Sequence, residues 1–250
     1  MLLAIDAGNT DITFGLHDGA SWSRLWRLPS KEEGGRAHWG QALDEQLGRG
    51  TLHRVVISSV VPDLTDALRQ HPWGSPETSV LVVGPECYPA LDITVANPAE
   101  MGTDLVCNAV AAYARFRQAC VIVDFGTALT YTSLDDAGRI LGVAIAPGLK
   151  TALRALSLHA AQLPEVPLEM PVSALGGNTI EAIQAGIVLG YTGMVKYMIG
   201  LIRDETGLAM KVIATGGLSH VLRPLHDELD AVDTRLTLEG LRLVGEAVLS

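Results

Sequence analysis

Positive charge is scarce in this chain. Four lysines and fourteen arginines face 28 acidic residues over 250 positions, a formal net charge of −10. A nucleic-acid binder needs a concentrated basic surface, so that class is excluded. Cysteine is also sparse: Cys87, Cys107 and Cys120 form no CxxC and no metal-ligand cluster. An odd, dispersed set fits buried thiols in a reducing, cytoplasmic compartment better than a disulfide framework. The common signatures are missing too. No GxGxxG, HExxH or GxSxG occurs, and the nearest approach to a P-loop, Gly148-Leu149-Lys150-Thr151, lacks the glycine immediately before the lysine. The seven histidines show no metal-ligand spacing. Charged residues make up only 18% of the chain and apolar ones 48%, which excludes disorder. So little charge also implies that some surface is covered by a second copy.

The opening MLLAIDAGNT has no basic n-region and meets Asp6 early, so no signal peptide is expected. Residues 182–202 carry Lys196 as their one formal charge and are long enough to span a bilayer. Gln184, Tyr191 and Thr192 interrupt the run. A helix buried between subunits is the expectation, with no membrane partner.

What is present is a repeated pattern. An apolar run ends in Asp6-Ala7-Gly8-Asn9-Thr10, and alternation resumes over 12–16, which reads as strand, turn, strand. The run 121–123 ends in Asp124-Phe125-Gly126-Thr127, with 130–134 as its returning strand. Two such copies, half a chain apart, predict a duplicated α/β unit. Buried strands are predicted at 55–61 and 80–83, and a helix over 104–117 with Thr103 as N-cap. Further strands are expected at 121–124, 129–134, 139–146 and 211–214, with helices over 150–159, from Asn178 onward, and from about 238. Asn178 followed by Glu181 three residues on is a capping-box arrangement. The domain boundary is placed at 116, giving domains 1–116 and 117–250.

The Asp-x-Gly turns carry the chemistry. Glycine lets successive N–H groups face one point and form an anion nest, and Asn9, Thr10 and Thr13 add uncharged donors. The Asp6 carboxylate would repel phosphate unless a cation lies between, so Mg²⁺ held through water is implied. Asp104 starts the predicted helix, where the dipole favours its ionised form.

These turns, with the later Thr215-Gly216-Gly217, resemble the phosphate and adenosine segments of the acetate/sugar-kinase, actin and heat-shock-chaperone superfamily. In order and spacing, DAGNTDITFGL, NPAEMGTDLVCNAVAAY, VDFGTALTY, GVAIAPGL, GGNTIEAIQAGIVLGYTGMV and TGGLSHVL resemble type III pantothenate kinases. The resemblance implies an α/β fold of two duplicated ribonuclease-H-like, actin-like domains with mixed sheets flanked by helices. It implies transfer of the ATP γ-phosphoryl group to the primary hydroxyl of pantothenate, opening coenzyme A synthesis, by a homodimer using Mg²⁺ and K⁺ or NH₄⁺.

Carried over residue by residue, Asp6, Ala7, Gly8, Asn9, Thr10, Asp11, Ile12 and Thr13 become the ATP phosphate loop, and Thr127 a second ATP contact. Asp124 becomes the monovalent-cation ligand and Asp104 the base. Gly102, Thr103, Asp104, Leu105 and Val95 fall at the pantothenate pocket, and Thr179 would reach substrate from the neighbouring subunit. Two positions depart from the family pattern: Leu105 stands where an arginine is usual, and Val95 where an aromatic residue is usual. Both changes touch the acceptor half, which leaves open a kinase for a different small alcohol or a non-catalytic nucleotide-binding paralogue.

Overall fold

The computed structural model describes residues 1–30, 43, 45–47, 51–159, 163–164, 166–217 and 223–249. The chain divides into two compact units, residues 1–114 with 236–250, and residues 115–235.

The first unit holds β1 (Leu2–Ala7), β2 (Asp11–His17), β3 (Trp22–Pro29), β4 (Arg54–Ser59) and β5 (Ser79–Val82) in the order β3-β2-β1-β4-β5. β1 runs antiparallel to β2 and parallel to β4. Alternate residues Leu3, Ile5 and Ala7 of β1 face a core with Ile12, Phe14, Leu16, Val55 and Ile57. Leu64 and Leu68 of α1 (Pro62–Gln70) close that core. α2 (Thr103–Phe116) and α5 (Leu236–Val248) also belong here.

The sequence reading assigned the terminal helix to the second half, whereas α5 packs on β1 and β4. Its glycines explain the seat. A Cβ at Gly240 would lie 1.9 Å from the Cys107 carbonyl oxygen, and one at Gly245 would lie 2.5 Å from Val56. α5 therefore approaches α2 backbone to backbone, and the Thr237 hydroxyl adds a 2.8 Å hydrogen bond to Asn108 Oδ1.

The second unit repeats the plan with β6 (Cys120–Phe125), β7 (Ala128–Leu134), β8 (Ile140–Pro147), β9 (Lys211–Thr215) and β10 (Ala231–Val232). Its order, β8-β7-β6-β9-β10, reproduces the first sheet strand for strand. Its core gathers Val121, Val123, Phe125, Leu129 and Tyr131 against α3 (Leu149–His159) and α4 (Thr179–Thr206). α4 contains a π-turn at Ala185–Leu189. It is long and apolar enough to cross a membrane by length and composition alone. Ile183, Ile187, Val188, Tyr191, Val195 and Ile199 of this helix are buried in the unit's own core.

Candidate active site

Asp6 lies near the end of β1, opposite Thr13 on β2 and Ser58 on β4. In-register residues share a face of the sheet, so three oxygen-bearing side chains stand in one row. Gly8, Asn9 and Thr10 make the turn. The Gly8 N–H donates to the Asp11 carbonyl at 3.0 Å, and a Cβ at Gly8 would stand 3.3 Å from that oxygen. Ser30 ties the turn down: its hydroxyl donates to the Gly8 carbonyl at 2.6 Å and its N–H to the Thr10 carbonyl at 2.9 Å. Asn9, Thr10 and Asp11 are exposed, whereas Ala7 and Ile12 are buried. The loop is thus anchored at both ends with its polar tip in solvent.

The Gly102-Thr103-Asp104-Leu105 segment comes next. Thr103 is the first residue of α2, and its hydroxyl does not cap the helix as expected. It bonds Ser58 Oγ at 2.8 Å, which pins the helix start to the strand beside Asp6. Burial pushes the Asp104 carboxyl above its ordinary value, against the opposing pull of the Leu105 and Asp104 N–H groups. The expectation that the helix start would favour the ionised form is thus outweighed by desolvation. Leu105 is buried near Gly102, and Val95 is half-buried.

Cys107, one turn along, is fully buried; its thiol is pushed up first by burial and then by the Asp6 and Asp104 charges. The thiol therefore stays protonated and inert. Tyr88 is pushed up to about 12, mainly by burial and in small part by the Cys107, Cys87, Glu86 and Asp104 charges. Its hydroxyl is buried with no partner among the described residues. Ser58 and Tyr88 escaped the sequence reading, whereas Cys87, Cys107 and Cys120 are the buried thiols it expected. For Ser58 the signal was a polar residue inside a buried strand.

In the second unit Asp124 occupies the position equivalent to Asp6. It stands opposite Thr130 on β7 and Thr215 on β9. Gly148 crosses the turn so closely that a Cβ there would lie 2.2 Å from the Gly126 carbonyl oxygen. Its N–H donates to the Thr127 carbonyl at 3.0 Å, and the Thr151 hydroxyl donates to the same oxygen at 2.7 Å. Gly216, with φ +88°, presses on Asp124: a Cβ there would lie 2.6 Å from Asp124 Oδ1. The Thr-Gly-Gly turn thus abuts the carboxylate, while residues 218–222 of that motif lie outside the described residues. The Thr130 hydroxyl is buried with no partner among the described residues.

Thr179 opens α4. Half of the expected capping box forms: Asn178 Oδ1 accepts from the Glu181 N–H at 3.0 Å, while Glu181 Oε2 reaches one residue past the cap and accepts from the Gly177 N–H at 2.8 Å. Thr179 lines a cavity of about 490 Å³ with Gly176, Gly177, Asn178, Leu156 and Leu163.

Among the described residues no three His, Cys, Asp or Glu side chains gather as a metal cluster. The available donors at both turns are single carboxylates flanked by hydroxyls. An all-oxygen set of low charge suits Mg²⁺ that keeps its waters, or a monovalent cation.

The family model for type III pantothenate kinase matches residues 2–200. The chain is 40% identical to the type III pantothenate kinase of Geobacter sulfurreducens, covering 98% of both chains. It is 42% identical to that of Treponema pallidum (strain Nichols), covering 99% of this chain and 94% of the relative. Among solved structures, a conserved putative Baf family transcriptional activator from Campylobacter jejuni aligns with a TM-score of 0.61 at 20% identity, covering 98% of this chain and 97% of that one. An ROK hexokinase from Thermus thermophilus aligns at 0.51 and 16% identity, with 97% of each chain covered. These two structures bear on the fold, a pair of mixed five-stranded sheets flanked by helices.

Proposed function

The chain belongs to the type III pantothenate kinase family, and from that premise we propose that it transfers the ATP γ-phosphoryl group to the primary hydroxyl of pantothenate. The observation that carries this reading is identity near 40% over almost the whole chain with relatives of that name, together with an aspartate at the end of the equivalent strand in each unit.

The roles are those the family resemblance implies, and the local geometry supports several of them. The tip formed by Asp6, Ala7, Gly8, Asn9, Thr10, Asp11, Ile12 and Thr13 binds the ATP phosphates through turn N–H groups and short polar side chains. Asp6 holds Mg²⁺ through water, and the metal when bound neutralises phosphate charge. Thr127 gives a second ATP contact. Asp124 binds K⁺ or NH₄⁺. Asp104 accepts the hydroxyl proton: burial makes it a stronger base than an ordinary carboxylate, moving its affinity for protons toward the working pH. Thr103 fixes its position through Ser58, and Gly102 leaves room for the Asp104 carboxylate that a side chain there would crowd.

Leu105 offers no charge to the carboxylate of pantothenate, so other groups must hold it. Thr179, beside the cavity in the second unit, serves the neighbouring copy of a cytoplasmic homodimer. The exposed Leu175 and Ile180 beside it in the chain, with the exposed Tyr197 further along α4 and Leu158 on α3, supply the apolar contact such a dimer needs.

Release of ADP with and without pantothenate tests the assignment, with mass spectrometry to identify phosphopantothenate. ADP released only with another alcohol, or none released at all, would overturn it.

A further inference from the structure

The Thr130 hydroxyl is the most informative loose end in the second unit. The residue is 8% exposed, and its Oγ1 is buried without a partner among the described residues. Leaving such a group unsatisfied is costly, and a bound ion or water would satisfy it.

Its surroundings indicate what that is. Thr130 pairs in register with Asp124 across the antiparallel β6–β7 ladder. Side chains so paired lie on one face with Cβ atoms about 4.5–5.5 Å apart. Thr215 pairs with Asp124 from the other side and is also buried. The row Thr130–Asp124–Thr215 therefore presents one negative charge between two neutral hydroxyl-bearing residues. Gly216 comes to 2.6 Å, measured from a would-be Cβ, of Asp124 Oδ1, so main chain closes one end. Hard cations take oxygen ligands, and the count of charged ligands sets which charge is preferred. A single carboxylate with neutral oxygens suits a monovalent ion better than a divalent one.

We propose that Thr130 is a direct ligand of the monovalent cation, its buried hydroxyl oxygen completing an oxygen site with the Asp124 carboxylate. This rests on the reading of Asp124 as the cation's carboxylate ligand.

The test is a K⁺ titration of thermal stability without nucleotide, with choline chloride holding ionic strength, and ²⁰⁵Tl⁺ NMR as a direct binding readout. Wild type should gain in Tm with K⁺ and broaden the thallium signal. Thr130→Val keeps the branched shape and discards only the hydroxyl. It should be at least as stable as wild type in choline, yet need about tenfold more K⁺ for half its Tm gain, the effect of about 1.4 kcal/mol. Thr130→Ser, which keeps the oxygen, should retain the wild-type K⁺ response.

Each contrary result is decisive. An unchanged K⁺ midpoint in Thr130→Val, with Asp124→Asn abolishing the response, removes Thr130 and leaves the Asp124 site standing. A wild type that responds to neither K⁺ nor Tl⁺ removes the Asp124 site and this inference with it. A Thr130→Val protein several degrees less stable in choline shows that the hydroxyl already has a structural partner. Equal loss of response in the Val and Ser variants places the effect in packing. A raised ATP KM at an unchanged K⁺ midpoint assigns the hydroxyl to the nucleotide. All of these overturn it.

Discussion

Replacing Asp104 by asparagine should make the protein more stable and a worse enzyme. The carboxyl sits at the start of α2 with its proton affinity raised, first by burial and only partly offset by the Leu105 and Asp104 N–H groups. A carboxyl whose folded pKa exceeds its unfolded value binds protons more tightly in the native state. Below the ordinary carboxylate range it is protonated in both states and costs nothing. As pH rises from the ordinary aspartate range through the raised native pKa, ionisation of the half-buried carboxyl progressively destabilises the fold. Asp104→Asn removes the charge and keeps the shape.

The variant's stability should therefore match wild type near pH 3 and exceed it near pH 7. The gain should be about 1 kcal/mol, the lower end of the cost of an undersatisfied buried polar group. For a chain of this size that is about 2–4 °C in Tm. Turnover should fall by about 10²-fold or more, the scale of a lost general base, or about 2.7 kcal/mol of transition-state stabilisation. ATP affinity should stay within a few-fold. Calorimetry at both pH values and steady-state kinetics check the two halves separately. A variant less stable than wild type at pH 7 would refute the burial argument, and near-normal turnover would remove Asp104 from the chemistry.

Other outcomes follow from the same geometry. Gly148→Ala places a Cβ 2.2 Å from the Gly126 carbonyl oxygen and 2.6 Å from that of Thr127. It should cost about 1–3 kcal/mol and raise the KM for ATP; an unchanged Tm would show that the turn can yield. Tyr88→Phe deletes a buried hydroxyl without a described partner and should leave Tm unchanged or higher, whereas a clear drop would reveal a partner for it. Tyr197→Glu puts a charge on the exposed apolar face of α4, where Tyr197 is 69% exposed and Leu158 of α3 is 68% exposed. Wild type should sediment at twice the chain mass and this variant should dissociate; a monomeric wild type at micromolar concentration sinks the dimer reading.

Much of the architecture was legible because its signals were periodic or punctuated. The two Asp-x-Gly turns announced the strands around them, and the repeated sheet order bears out the duplication those turns implied. The apolar spacing over 104–117 predicted α2 to within a residue at each end. What was missed lacks such signals. β3 is an edge strand of exposed and half-buried residues, its apolar side of Trp22, Trp26 and Leu28 broken by Arg24 and its other side carrying Leu25 beside charge; the stacking of Trp26 on Phe14 at 5.1 Å helps hold it. α1 begins at Pro62 and buries only Leu64, Ala67 and Leu68. The seat of α5 was unreadable because it depends on two glycines meeting α2 and β4, and a sequence does not say which surface a missing side chain admits. At the site, side-chain identities were readable but environments were not. Thr103 was a plausible cap until Ser58 claimed its hydroxyl, and Asp104 looked like an ordinary helix-start carboxylate until burial was known.

The duplication also explains why two similar turns come to different uses. In both units an aspartate near a strand end faces a threonine on the antiparallel neighbour and a hydroxyl residue on the parallel one. The connecting loops differ by one residue: Gly8, Asn9 and Thr10 join β1 to β2, while only Gly126 and Thr127 join β6 to β7. The longer loop leaves Asn9 and Thr10 exposed at its tip, and its Thr13 is half-buried. On the proposed roles, that exposed polar tip is the part of the loop that would meet an anion and a hydrated divalent ion. The shorter loop is clamped by Gly148 and Thr151 on the Thr127 carbonyl, and its Thr130 is buried. With one charge, the clamped turn would discriminate against a divalent ion, because removing that ion's water costs more than one carboxylate returns. On the proposed roles, one residue of loop length, and the glycine that crosses it, separates a phosphate turn from a cation turn.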